Sequence, residues 1–199
     1  MNKNDLRYKR THTLIRETFL KELAAVGFSG LTVKRLIDTA HVNRSTFYAH
    51  FDDIRALLDE IEDELIKQLV AINREVPIQE TMAKIIPVEV ILYPYFLNVA
   101  AFIHDNGATI HSLIGEPTSQ FLNKAYERLR SQWSDEARPV QFRIPQNFAI
   151  AAMVGLLMSL SREWVRNGFD PSKEEFATIL TRIASHIPED VFSGTDNPA

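Results

Sequence analysis

Between Thr32 and Phe51 the chain concentrates guanidinium, hydroxyl, phenol and imidazole groups at helical spacing: Arg44, Ser45, Thr46, Tyr48 and His50. Val42, Phe47 and Phe51 are interleaved with them as an apolar set. A short helix here would have one face to dock and another to present. The presented groups suit a DNA major groove. Arginine makes paired hydrogen bonds to O6 and N7 of guanine, and serine or threonine reaches base edges or phosphates. Thr32, Lys34, Tyr48 and His50 are the kinds of side chain that grip phosphate on either side. With Asn43 at the helix start, the candidate DNA-contacting set is Thr32, Lys34, Asn43, Arg44, Ser45, Thr46, Tyr48 and His50. A solvated polar face on an ordinary helical hairpin is the competing reading. The phosphate-type groups on both flanks favour DNA.

No other stretch has the chemistry of an active site. The chain has no cysteine, which removes disulfides, thiolate nucleophiles and thiolate metal ligands. The six histidines are 12, 41, 50, 104, 111 and 186. None forms an i, i+4 pair, and no HExxH string is present. Phosphate-cradling glycine loops and a GxSxG elbow are also missing. The acidic run Glu62, Asp63 and Glu64 reads as a solvated helix face. We therefore expect no catalytic residues, no metal site, no cofactor and no enzyme activity.

The net charge of −4 hides an asymmetry. Residues 1–55 hold ten Lys/Arg against six Asp/Glu, and the rest holds 12 against 20. A basic head on an acidic body is expected when only the head meets phosphate. The polar N-terminus has no apolar core of a signal peptide. The apolar stretch 144–162 carries Pro145, Gln146, Asn147, Ser159 and Ser161, which favours a buried interface helix over a membrane span. These features and the lack of cysteine point to the cytoplasm.

The elements that must position the polar set are helical. Ile15, Phe19, Leu23 and Val26 recur at three or four residues, with Gly27 as a stop. Thr32 and Asn43 are N-caps for helices running to Ala40 and to about His50. Asp52 and Asp53 open a long fourth helix with a stripe at Ile54, Leu58, Ile61, Leu65, Leu69 and Ile72, and Pro77 ends that region or begins the next helix. The run 87–105 is rich in valine, isoleucine and tyrosine, which also suit a strand. Its length favours a buried helix kinked at Pro94, with Asn106 and Gly107 as the stop. Residues 112–117 read as a loop, 121–133 as an amphipathic helix, and 134–145 as the longest loop. A helix over 146–166 is followed by Asn167 and Gly168, and Ser172 caps a last helix through His186. Residues 194–199 read as a frayed tail. The expected fold class is all-α with about nine helices. A helix-turn-helix domain (1–51) precedes a C-terminal helical domain for dimerisation and ligand binding (52–199).

Residues 10–58 resemble the TetR-type (tetracycline-repressor-like) transcriptional regulators. The matching pattern runs from Gly27 through Leu31, Thr32 and Val33 to Ala40. It continues with Val42, Asn43, Ser45, Thr46, Phe47, Tyr48, His50 and Phe51, and ends at Leu57 and Leu58. The resemblance implies base contacts from Arg44, Ser45 and Thr46. It implies phosphate contacts from Thr32, Tyr48 and His50, and core roles for Phe47 and Phe51. The chain departs from the pattern at His41, where the family usually has glycine in a turn that often needs positive φ. Either the turn differs slightly or His41 adds a phosphate contact. The chain also has Ile54 where the family commonly has lysine, a role that Arg55 could take over.

The segment 164–180 resembles the end of a subclass that includes dihydroxyacetone-kinase-operon regulators. The resemblance implies a homodimer through the helices 146–166 and 172–186. Independently, Ala151, Gly155 and Ser159 lie four apart on one face, where another helix can approach closely. The aromatic residues Tyr93, Phe96, Phe102 and Trp164, with Met153, are candidates to line a small-molecule pocket. The expected function is a DNA-binding repressor, released from its double-stranded operator by an unidentified small-molecule effector, with no membrane partner. The alternative is a helical co-regulator acting through a partner protein.

Overall fold

The structure, a computed structural model, describes residues 5–74, 88–136 and 143–186. The described residues form nine α-helices and no strand: α1 (Leu6–Val26), α2 (Val33–Ala40), α3 (Arg44–His50), α4 (Ile54–Asn73), α5 (Val88–Asp105), α6 (Gly107–Gly115), α7 (Phe121–Glu136), α8 (Gln146–Arg166) and α9 (Lys173–His186). The all-α class expected from the sequence is observed. Pro77 and the 194–199 tail lie outside the described residues.

The chain divides into two compact units. The first comprises residues 1–65 and 111–121, the second residues 66–110 and 122–199. In the first unit, Asp5 caps α1 by accepting the N–H of Arg7 at 3.0 Å. Gly27 ends that helix at φ +69°, and its N–H returns to the Leu23 carbonyl. A 3-10 turn, Phe28–Gly30, then leads to α2. Asp53 opens α4 by accepting the N–H of Ala56 at 2.7 Å. Ile15, Phe19, Leu23, Leu36, Phe47, Leu57, Leu58 and Ile61 close the core of this unit, each almost without solvent exposure. Burying side chains of this size contributes about 1.5–3 kcal/mol each before entropy is counted.

The acidic run on α4 divides. Asp63 and Glu64 are exposed as expected, whereas Glu62 is fully buried. Its Oε1 accepts the Ser119 hydroxyl at 2.9 Å and the Gln120 N–H at 2.8 Å, just before α7 begins. A buried carboxylate is stable when donors replace its lost water, and an orphan N–H at a helix start is such a donor. Residues 112–115 are also helical rather than a loop. The apolar spacing of Ile110 and Leu113 buries one side of α6, and the loop shrinks to the five residues after Gly115. Helix α7 likewise runs to Glu136, with the Ser134 hydroxyl donating to the Arg130 carbonyl at 2.8 Å.

In the second unit α5 packs on α9 and both touch α8. Pro94 lies within α5. Gly107 does more than interrupt the chain between α5 and α6. A Cβ there would stand 2.5 Å from Cζ of Phe169, so the ring occupies the space that only glycine leaves open. Phe169 sits edge-on to Trp164, which stacks on Phe176 at 4.3 Å. Helix α9 starts with a reciprocal cap between Ser172 and Glu175. The hydrogen bonds from the Ser172 hydroxyl and N–H hold the Glu175 carboxyl below its ordinary value.

Helix α8 is long and apolar enough to cross a membrane by length and composition. It buries Ala149, Ile150, Val154, Leu157, Trp164 and Val165 within its own chain. Phe148 is 64% exposed, and Ala152 and Ser159 are exposed with it.

Candidate nucleic-acid interface

Two caps and one left-handed turn set α3. Thr32 Oγ1 accepts the Arg35 N–H at 3.1 Å and starts α2. His41 ends α2 in the left-handed region at φ 53°, ψ 39°. The positive φ anticipated at this departure from the family pattern is therefore real. It is a conformation in which a non-glycine residue is uncommon. Asn43 Oδ1 then accepts the Thr46 N–H at 2.7 Å and the Ser45 hydroxyl at 2.8 Å, which starts α3. Each such cap contributes about 1 kcal/mol.

Helix α3 is seven residues long and has two faces. Phe47 is fully buried and Phe51, just beyond the helix, is 4% exposed. They fix the rotation of α3 on its neighbours. Arg44, Ser45 and Tyr48 are exposed on the opposite side, with Thr46 half-buried. Thr32 and Lys34, at the start of α2, are exposed as well. The Arg44 guanidinium lies over the Tyr48 ring, 5.6 Å from its centroid, and donates to the Tyr48 hydroxyl at 3.4 Å.

His50 is placed differently from the rest of the set. Its ring lies 4.0 Å from that of Tyr8 and 5.6 Å from that of His12. Nδ1 of His50 and Nδ1 of His12 are both buried, without a hydrogen-bond partner among the described residues. Burial, and then the neighbouring His12, hold the His50 imidazole below its ordinary value, against a weaker pull from Glu60. His12 Nε2 is 2.8 Å from Glu60 Oε1, and Arg16 pairs with both Glu60 and Glu64. This cluster ties the end of α3 to α1 and α4. Its members are far apart in sequence, so helical spacing within α3 did not reveal it.

A second set of ties was also invisible to local pattern. Arg35 pairs with Glu22, which holds that carboxyl below its ordinary value and joins α2 to α1. Glu116 Oε2 accepts the Phe28 N–H at 2.9 Å, and its other oxygen accepts the N–H and hydroxyl of Thr118. Partial burial raises the Glu116 carboxyl, but these donors outweigh it and leave it lowered. Arg55 faces Asp59 with two nitrogens and donates to the Thr118 carbonyl at 2.8 Å. The residue beside Ile54 is thus engaged inside its own unit.

The five residues expected to line a pocket all fall in the second unit. Tyr93 and Met153 are half-buried, while Phe96, Phe102 and Trp164 are buried. Phe96 packs against Tyr95 at 5.0 Å. Trp164 belongs to the stack with Phe176 and Phe169, and its indole N–H donates to the Pro171 carbonyl at 2.6 Å. Both its face and its polar handle are taken by its own chain. Tyr95 donates to Asn73 Oδ1 at 2.5 Å, where Trp133 Nε1 also donates at 3.3 Å.

Residues 15–61 match a family described as bacterial regulatory proteins, tetR family. A search of curated proteins gives no match. Among solved structures, a protein from Syntrophomonas wolfei assigned to the TetR-family transcriptional regulators superposes with a TM-score of 0.67 at 16% identity, covering 95% of this chain and 99% of that one. A TetR regulator from Streptococcus agalactiae gives 0.63 at 20% identity, covering 88% and 93%. The dihydroxyacetone kinase operon activator DhaS gives 0.58 at only 13% identity, covering 92% and 98%. At that identity it shares the fold and does not single out the subclass read from residues 164–180. The chain therefore carries a tetR-family N-terminal domain at residues 15–61 and has the fold of the TetR transcriptional regulators.

Proposed function

We propose that this chain is a homodimeric repressor that reads a double-stranded operator with α3 and releases it when a small molecule binds. One observation carries the reading: Phe47 of α3 and Phe51 just beyond it are buried, while Arg44, Ser45 and Tyr48 of that short helix remain outward. Arg44, Ser45 and Thr46 would meet base edges, with Asn43 holding the helix start. Thr32, Lys34, Tyr48 and His50 would flank them on phosphate. A reading helix used in pairs meets successive major grooves about 34–36 Å apart, which suits a dimer. The exposed face of α8 supports that dimer. Phe148 and Ala152 are uncovered, and an added Cβ at Gly155 would meet nothing within 4 Å. A cytoplasmic location follows from a role on chromosomal DNA. For the effector, the half-buried Tyr93 and Met153 are the members of the expected set that keep exposed surface.

The test is a gel shift with DNA from beside the protein's own gene, titrated with salt. Binding should weaken steeply as salt rises, because each phosphate contact releases counterions. Binding indifferent to salt, or none at low salt, would overturn the reading.

A further inference from the structure

Arg44 is the first residue of α3, and Tyr48 stands one turn later on the same face. Helical side chains lean toward the N-terminus. The Tyr48 ring accordingly reaches back under the guanidinium, at 5.6 Å, and its hydroxyl accepts from Nη2 at 3.4 Å. The N-terminal end of a recognition helix is the end that meets base edges. Among the described residues no carboxylate pairs with Arg44. Its only polar partner there is the Tyr48 hydroxyl, so most of its donors stay available. Tyr48 is itself steadied by an edge contact with the buried Phe47 at 5.5 Å. A flexible arginine held in advance loses less freedom on binding than a loose one.

We propose that Tyr48 is a positioning residue for base reading: it holds Arg44 over the groove so that α3 selects guanine at one operator position. This rests on the DNA-reading role proposed above. Tyr48 is 45% exposed, so replacing it removes little of the core.

The experiment selects bound duplexes from a randomised pool with the full-length protein and its variants, and reads both affinity and guanine preference. Arg44→Ala should lower the preference at one position by about 5- to 150-fold, the range of a bidentate base contact. Tyr48→Leu should lower the same preference by about 2- to 5-fold, the range of an exposed cation–π contact. Tyr48→Phe, which keeps the ring, should restore it. In the Arg44→Ala background, Tyr48→Leu should change the preference no further. The proposal is overturned if Tyr48→Leu leaves the guanine preference intact, whether or not the Tyr48 substitutions also weaken all sequences alike through a lost phosphate contact. It is overturned also if the two substitutions reduce the preference independently. A parent protein that binds no duplex would overturn the DNA-reading role itself, a separate outcome.

Discussion

Glu116 reaches across 88 residues of sequence to accept the backbone N–H of Phe28 at 2.9 Å. That donor opens the 3-10 turn between α1 and α2, where a helix end has left backbone groups without partners. The same short loop is tied to α4 by Arg55 at the Thr118 carbonyl and by Glu62 at Ser119 and Gln120. Three anchors on five residues hold the loop within the first unit.

Glu116→Ala should lower stability by about 1 kcal/mol, the lower end for an unsatisfied donor, because the site is only partly buried. The effect should depend on pH. The folded carboxyl lies below its ordinary 4.5, so the stabilisation is present above about pH 4.5 and is lost as pH falls through the lower folded value. Urea titrations of parent and variant at neutral and acid pH check this. A difference that persists in acid would contradict the role of the charge.

His50 should make the first unit sensitive to mild acid. Its folded value lies below the ordinary 6.5, so neutral His50 contributes stability above about pH 6.5, lost as pH falls through the folded value. Protonation would place charge on a half-buried ring beside Tyr8 and His12, with Arg16 close to the Glu60 that His12 holds. Thermal unfolding followed from pH 8 to 5 should show a falling Tm, and His50→Phe should flatten that fall. An equal slope in the variant would assign the dependence to other groups.

Gly107→Ala should destabilise by about 1–3 kcal/mol, the usual cost of forcing a methyl into filled space. The extra carbon would meet the Phe169 ring at 2.5 Å. Combining it with Phe169→Leu should recover part of the loss, since the two changes share one contact. Calorimetry of the single and double variants measures the coupling. Strict additivity would show that the clash is relieved elsewhere.

Phe148→Asp should leave the fold of the single chain intact, because the ring is 64% exposed. If α8 is the dimer face, the charge would be buried without a partner, and the protein should sediment as a monomer with weakened operator binding. Gly155→Leu should act in the same direction by blocking close approach of a second helix. An unchanged dimer in both variants would move the interface away from α8.

Features governed by neighbours in sequence were legible before any coordinates. Thr32, Asn43 and Ser172 cap the helices they were expected to cap, and His41 adopts the positive φ that the turn requires. Caps and turns depend on a few adjacent dihedrals and hydrogen bonds. The division of α3 into an apolar side at Phe47 and a polar side at Arg44, Ser45 and Tyr48 follows from the 3.6-residue period alone. Glu62 shows where such reasoning stops. The two residues after it, Asp63 and Glu64, are exposed, and composition gives no sign that the position before them meets Ser119 and Gln120.

The sequence by itself determined the helical class, the helix starts and the outward chemistry of α3, because each is set within one or two turns of chain. Only the tertiary structure decided that Glu62 is buried, that Glu116 caps a turn 88 residues away, that His50 packs on Tyr8, and that Trp164 stacks on Phe176. Those outcomes depend on which distant segment lies opposite. A local periodicity says that a face is apolar or polar, and it leaves open what covers it.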